Sequence, residues 1–495
     1  MLVAVRPAWY RFDLIVKNVD ICVAVTDWNG SAWQRNKHPM IPKNDMAPTL
    51  TVAADCVFTG IDTELEKELK KRLTIDNPRY LAAKKYGRWI GRKLKPQLKY
   101  YDSVVGGVRF PRGFANQAVL LCREISTVEP EIIDKRRRLA EVDFQFAGEL
   151  RPYQRETLEI AGNKSFGVIE AGTGSGKTVM ALALIAHRRQ PVFVVVHTKE
   201  LLYQWQERAR QFLGVEPGLV GDGQFNLAPL TIGIVNSAGR RVEELVEHFG
   251  HLVVDECHRV PASLFTEVVS RFDCHYLLGL SATAFRSDNE LTKLIYYFMG
   301  DRLHQVDQDE LKATGAILAP EVIRTATSFS YGYRGDYQAL IKALVTHQGR
   351  NLQILGDILR VAGEPGSGTI LVVSDRVNHC RFFVDKLRAA GINVELLYGG
   401  LAPETRSTIV DAVQRGEVKV LVATLQLISE GFDCPGLTCL FLTTPISFEG
   451  RLLQVIGRIM RPAANKRARL FDYIDENIPI LLRSAKARSL VLSQL

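Results

Sequence analysis

The chain has 495 residues, which at roughly 100–200 residues per domain allows two to four domains, and its 46% hydrophobic and 24% charged content is that of an ordinary globular protein. No apolar run approaches the ~18 residues of a membrane span. The opening MLVAVRPAWYRFD has no signal-peptide core of usual length, and the eight cysteines include no CxxC pair. A membrane protein, a disulfide scaffold and a zinc ribbon are therefore disfavoured, and a soluble protein of a reducing, cytoplasmic compartment is expected. The net charge is +9, and residues 1–148 hold 25 Lys and Arg against 17 Asp and Glu, so +8 of it lies there. A basic excess in one part of the chain points to a polyanionic partner.

The first segment, 1–148, opens with DLIVKNVDICVAV, whose β-branched runs predict strands. A loop with Pro39, Pro42 and Pro48 follows. TELEKELKKRL then places Leu65, Leu69 and Leu73 at helical spacing. KKYGRWIGRKLKPQLKYY, residues 84–101, interleaves cations with aromatics. Its Lys84, Lys85, Arg88, Trp89, Arg92 and Lys93 suit phosphate neutralisation and base stacking, and equally suit a solvated amphipathic helix. IIDKRRRLAEV reads as a charged helix or connector. The segment as a whole is read as a small α+β accessory domain that binds DNA.

The second segment, 149–317, alternates apolar strands (FGVIEA, VFVVVH, HLVVDE, HYLLGLSAT) with helical patterns such as TVMALALIAHRR and ELLYQWQERARQFL. The third, 318–495, repeats that style with TILVVS, NVELLY, VKVLVAT and CLFLTT. Buried strands alternating with helices imply parallel sheets covered on both faces. Two such units in series predict two lobes with a ligand cleft between them.

AGTGSGKT, Ala171 to Thr178, follows a strand and opens a helix, the context of a phosphate-binding loop. Gly172, Thr173, Gly174, Ser175 and Gly176 let backbone N–H groups face phosphates, and the helix N-terminus adds a favourable dipole. Lys177 is expected to reach the β- and γ-phosphates, and Thr178 to place its hydroxyl on Mg²⁺.

VVDECHRV, Val253 to Val260, admits three chemistries: a zinc site, a Cys–His nucleophile pair, and a magnesium-dependent ATPase. The phosphate-binding loop upstream favours the third. Asp255 then holds Mg²⁺ of Mg²⁺·ATP through water, and Glu256 orients and activates the attacking water. Magnesium prefers oxygen ligands, so Cys257 is expected to pack as a small apolar group. QVIGRIMRP, Gln454 to Pro462, puts Arg458 and Arg461 three residues apart, on one face if the helix runs through both. Arginine supplies a rigid fork for developing phosphoryl charge.

Taken in order, AGTGSGKT, DECH, SAT (Ser281 to Thr283) and QVIGRIMR resemble the motifs of superfamily 2 helicases and translocases. LRPYQ (Leu150 to Gln154) resembles the adenine-reading element of that superfamily. HTKELLYQW (His197 to Trp205) resembles its motif Ia, and VATLQLISEGFD (Val422 to Asp433) its motif V. The RPYQ element, Thr283 to Asp288 and the EGFD motif are similar to the XPB-type (UvsW-like) branch. The chain departs from that pattern at DECH, at Ala284 where many relatives carry proline, and at Arg286–Asp288, where the branch's RED element has lost its Glu.

The resemblance implies an α/β fold of two tandem RecA-like lobes behind the N-terminal accessory domain. It implies an ATP- and Mg²⁺-dependent DNA helicase or translocase of 3′-to-5′ polarity, cytoplasmic and prokaryotic or phage-encoded, working in repair or recombination beside partners such as a nuclease. It also assigns residues. Gln154 reads the adenine edge, and Arg151 is a further nucleotide-binding residue. His258 and Gln454 link nucleotide state to the nucleic acid. Arg458 and Arg461 act as arginine fingers. Gly431 and Asp433 approach the ribose and phosphates. Thr198, Lys199, Ser237, Arg286 and Thr424 touch the nucleic-acid backbone. An RNA helicase, a duplex translocase without net unwinding, and a nucleotide-gated scaffold remain as alternatives.

Overall fold

The computed structural model describes residues 13–17, 20–24, 47–85, 89, 94–259, 263–282, 290–429, 434, 436–446, 449–463 and 466–493. These fall into two compact units. One comprises the described part of Met1–Glu170 with Thr178–His197 and Trp205–Gln305, the other Ala171–Lys177, Thr198–Gln204 and the described part of Val306–Leu495.

The first unit holds two large sheets. Within DLIVKNVDICVAV, the strands Asp13–Lys17 and Asp20–Ala24 pair antiparallel. A five-stranded sheet then runs in the order Asp102–Val104, Gly107–Pro111, Asp55–Thr59, Thr49–Val52, Glu131–Asp134, antiparallel except for its last pair. The predicted helix is Thr63–Arg72. The Asp62 carboxylate accepts from the Leu65 N–H at 2.8 Å at its start, and its leucines are buried. IIDKRRRLAEV is not a helix: Glu131–Asp134 is the edge strand and the rest is connector. Within the basic stretch, Pro78–Lys85 is helical and Gln97–Lys99 is a strand; residues 86–88 and 90–93 lie outside the described residues.

The second sheet of this unit has eight strands: Gln224–Phe225, Gly218–Gly221, Leu230–Ile234, Val192–Val196, His251–Val254, Tyr276–Ser281, Phe166–Glu170, Arg302–Gln305. All neighbours are parallel except the first pair. Val192–Val196 is buried at every position, as a central strand covered on both faces must be.

The two sheets share one apolar core. Phe114 meets Phe110 and Tyr297 edge-on, and Tyr100 packs on Tyr297 and Phe298. The Arg112 guanidinium, 2% exposed, donates to the Cys274 carbonyl at 2.6 Å. Gly113 lies so close to Tyr296, Tyr297 and Gly300 that a Cβ would sit 2.4–2.8 Å from backbone atoms, so only glycine fits. Asn116 and Gln117 donate to the half-buried Asp301 carboxylate at 3.0 and 3.2 Å. Burial raises the Asp301 pKa despite these bonds.

The second unit carries a six-stranded, all-parallel sheet: Glu321–Ala326, Arg469–Ile474, Leu437–Leu442, Thr369–Ser374, Val420–Thr424, Val394–Leu397. Its last four strands in this order are the four runs read from the sequence. The two others, RLFDYI and EVIRTA, carry charges that mask them as strands.

Candidate nucleotide and metal site

Parallel strands of one sheet deliver the turns after them to one edge. His251–Val254 and Phe166–Glu170 both pair with Tyr276–Ser281, so the DECH turn and Ser281 share the carboxyl edge of the eight-stranded sheet with the end of the strand that leads into AGTGSGKT. The loop takes the shape its glycines allow. Gly174 and Gly176 have φ of +90° and +80°, and the helix Lys177–Arg188 begins directly after them. Ser175 is fully buried, and the Lys177 ammonium folds back to donate to the Ala171 and Gly172 carbonyls at 3.0 and 3.4 Å. The lysine is thereby held over the loop whose amides are expected to take the phosphates.

The Asp255 carboxylate is 6% exposed and held from two sides. Its Oδ1 accepts from the Glu256 N–H at 2.9 Å, and its Oδ2 accepts from the Trp205 indole N–H at 2.8 Å. Glu256 has φ of +50°, a left-handed conformation unfavourable for a residue with a Cβ. Strain of this kind persists where the surroundings over-determine it, and it concentrates at functional sites. His258 Nδ1 lies 3.1 Å from Glu256 Oε2 and 3.3 Å from Ser281 Oγ, so one imidazole touches both the DECH carboxylate and the SAT motif. The Glu256 and His258 side chains are 17% and 18% exposed, enough to meet water.

Cys257 is fully buried. A Cβ at Gly279 would come within 2.9 Å of its sulfur and 3.0 Å of Val168, so the thiol fills the space that the glycine leaves. Burial, reinforced by the carboxylates of Glu256, Asp255 and Glu170, pushes its pKa well above the usual value. A neutral, enclosed thiol is neither a nucleophile nor a thiolate ligand.

The other expected residues are placed as follows. Gln154, 5% exposed, lies in the first turn of the helix Pro152–Gly162, where its Oε1 accepts from the Arg151 N–H at 2.9 Å. Its amide thus caps the helix start. Gln454 and Arg458 are 8% exposed on the helix Glu449–Ile459, and the Arg458 Nε donates to the Ile428 carbonyl at 3.3 Å. Arg461 is not on that helix, which ends two residues earlier, so the shared helical face expected for the two arginines does not exist. Pro462 accounts for this, because the residue before a proline is pushed out of the α-region.

Thr198 caps the helix Lys199–Leu213, its Oγ1 accepting from the Leu201 N–H at 3.2 Å, and Lys199 is exposed at the helix start. Ser237 sits half-buried in the short helix Val235–Arg240, and Thr424 ends a strand of the six-stranded sheet. Lys84 and Trp89 are exposed, Trp89 at 90%. Arg286, Gly431, Asp433, Arg88, Arg92 and Lys93, and the side chain of Lys85, lie outside the described residues. Sequence reasoning missed Trp205 and Ser281 as parts of the site. Both stood inside quoted motifs, but their partners are 50 and 23 residues away.

Residues 147–286 match the type III restriction enzyme res subunit family, and residues 350–463 match the helicase conserved C-terminal domain. Over 419 residues the chain is 27% identical to the DNA 3'-5' translocase XPB2 of Sulfurisphaera tokodaii, covering 78% of this chain and 92% of that protein. It is 24% identical to the XPB helicase/translocase subunit of general transcription and DNA repair factor IIH of Encephalitozoon cuniculi, covering 73% of this chain and 57% of that one. The structure of S. cerevisiae Dbp5 bound to RNA and ADP BeF3 superposes with a TM-score of 0.52 at 15% identity, covering 70% of this chain and 88% of Dbp5. Fold and motifs together define a RecA-like helicase ATPase. The chain is an ATP-hydrolysing helicase/translocase, similar to the XPB-type proteins of superfamily 2. Among the described residues, no helix is long and apolar enough to cross a membrane.

Proposed function

We propose that the chain is a DNA motor that turns ATP hydrolysis into 3′-to-5′ movement and strand separation or remodelling. The observation that carries this reading is the Asp255–Glu256–His258–Ser281 arrangement at the edge that the AGTGSGKT strand also reaches. The choice of DNA and the polarity follow the archaeal relative's name, and the basic excess of residues 1–148 supports a polyanionic track.

In this reading, the amides of Gly172 to Gly176 cradle the phosphates and Lys177 neutralises the β/γ pair. The donor set fits Mg²⁺: the Thr178 hydroxyl and the Asp255 carboxylate are hard oxygen donors, and the one nearby sulfur is turned into the core. A magnesium ion held by these residues would supply positive charge to the nucleotide's phosphates. Glu256 takes a proton from the attacking water. Arg458 and Arg461 stabilise charge on the transferring phosphoryl group. His258 and Gln454 relay nucleotide state, and Gln154 with Arg151 frames the base. Thr198, Lys199, Ser237, Arg286 and Thr424 contact the track, while Lys84, Lys85, Arg88, Trp89, Arg92 and Lys93 form an accessory contact.

The test is ATPase stimulation by single-stranded, duplex, forked and four-way DNA beside matched RNAs. Stimulation by at least one DNA form above its RNA counterpart supports the reading; equal or greater stimulation by RNA overturns the choice of DNA. The accessory contact is tested by Trp89→Ala with Lys84→Ala rather than by truncation, because the N-terminal sheet shares its core with the ATPase sheet.

A further inference from the structure

We propose that Trp205 is a positioning residue for the metal-binding carboxylate, fixing the orientation of Asp255 from the helix Lys199–Leu213. The inference rests on the reading of Asp255 as a magnesium residue. Trp205 is 1% exposed, and its indole N–H donates to Asp255 Oδ2 at 2.8 Å. A buried ring of that size has one orientation open to it, so its N–H is a fixed donor. A charge-assisted bond of this length holds the carboxylate plane against rotation. The opposite oxygen is held by the Glu256 N–H, a residue whose own backbone is strained. One of these two bonds thus comes from the carboxylate's own turn and the other from a different element. That element begins at Thr198 and Lys199, the residues expected to touch the nucleic-acid backbone.

Groups that orient a metal-binding side chain typically change metal affinity or activity by about 10–100-fold when removed. Trp205→Phe keeps the ring and removes the N–H. The full-length protein and this variant are titrated with a fluorescent, non-hydrolysable ATP analogue at a series of free Mg²⁺ concentrations and in EDTA.

The expected result is that the Mg²⁺ concentration giving half-maximal tightening rises about tenfold or more in the variant, with nucleotide affinity in EDTA unchanged. Equal weakening with and without Mg²⁺ is what a merely structural role gives, and it overturns the proposal, as does an unchanged Mg²⁺ dependence. If the unaltered protein shows no Mg²⁺-dependent tightening, the magnesium reading of Asp255 fails and this inference fails with it.

A second measurement is independent of the variant's folding. The other tryptophans are Trp9, Trp28, Trp33 and Trp89. With these replaced by Phe, the emission of Trp205 alone changes on adding Mg²⁺ with nucleotide and stays constant with nucleotide in EDTA. The same response in both conditions contradicts a link to the metal.

Discussion

Each unit of the molecule brings an acid, a histidine and a serine close together, and the two sets are built for opposite ends. In the second unit, Arg350 and Asp475 are 1% and 2% exposed. The guanidinium grips the carboxylate at 2.8 and 3.3 Å, and Thr327 donates to the same carboxylate at 2.6 Å. His379 is clamped between Ser374 Oγ at 2.9 Å and Asn351 Oδ1 at 3.0 Å. In the first unit, Glu256 and His258 touch at 3.1 Å and keep some exposure to solvent, and the Glu256 backbone is left-handed. On the proposed reading the first set offers an oriented base to water, whereas the second ties helix to sheet. What separates a site from a scaffold here is exposure and strain, since the residue types are nearly the same.

That contrast is broken most sharply by paired substitutions. Glu256→Gln is expected to lower kcat by about 10³-fold with nucleotide affinity and melting temperature nearly unchanged, measured by steady-state ATPase and thermal denaturation. Asp475→Asn is expected to do the reverse. It leaves a buried guanidinium without its carboxylate, at a cost of about 3–5 kcal/mol, read as an earlier denaturant midpoint. A fall in kcat for Asp475→Asn with no loss of stability would erase the distinction.

The pH dependence sharpens it further. Burial, with the Arg350 charge beside it, pushes the His379 pKa down to about 3 from its ordinary 6.5. Between those values the unfolded chain binds the extra proton and the folded chain does not. This residue's contribution is therefore complete above pH 6.5 and is lost progressively as pH falls toward 3. Denaturation midpoints at pH 7.5 and pH 5 measure this, and His379→Gln should flatten the profile. Smallest of all, Cys257→Ala should keep kcat within about twofold and cost about 1 kcal/mol of stability, because the thiol only fills space. Ready modification of Cys257 by a thiol reagent in the folded protein would contradict that reading.

The sequence made local chemistry readable and left long-range chemistry hidden. AGTGSGKT and DECH carry their meaning within a few residues: turn glycines, a lysine, adjacent carboxylates. The strands VFVVV and TILVVS announced themselves because central parallel strands are apolar on both faces. EVIRTA and RLFDYI, with charged residues along them, did not. The Trp205 indole bond and the His258–Ser281 contact join segments that follow or end neighbouring strands, 50 and 23 residues apart in sequence, and no spacing rule reveals such partners. Arg461 was misplaced for a readable reason, since Pro462 directly follows it. In the basic stretch the aromatics divided, Tyr100 turning into the core and Trp89 standing in solvent.

The central claim is that ATP turnover at Glu256 drives movement along DNA. Displacement of streptavidin from biotinylated single-stranded DNA tests it most directly. The unaltered protein should release streptavidin from the 5′ end with ATP, and not with a non-hydrolysable analogue, while Glu256→Gln should bind the same DNA and release none. Release by Glu256→Gln at the normal rate, or none by the unaltered protein while it hydrolyses ATP on that DNA, would contradict the account.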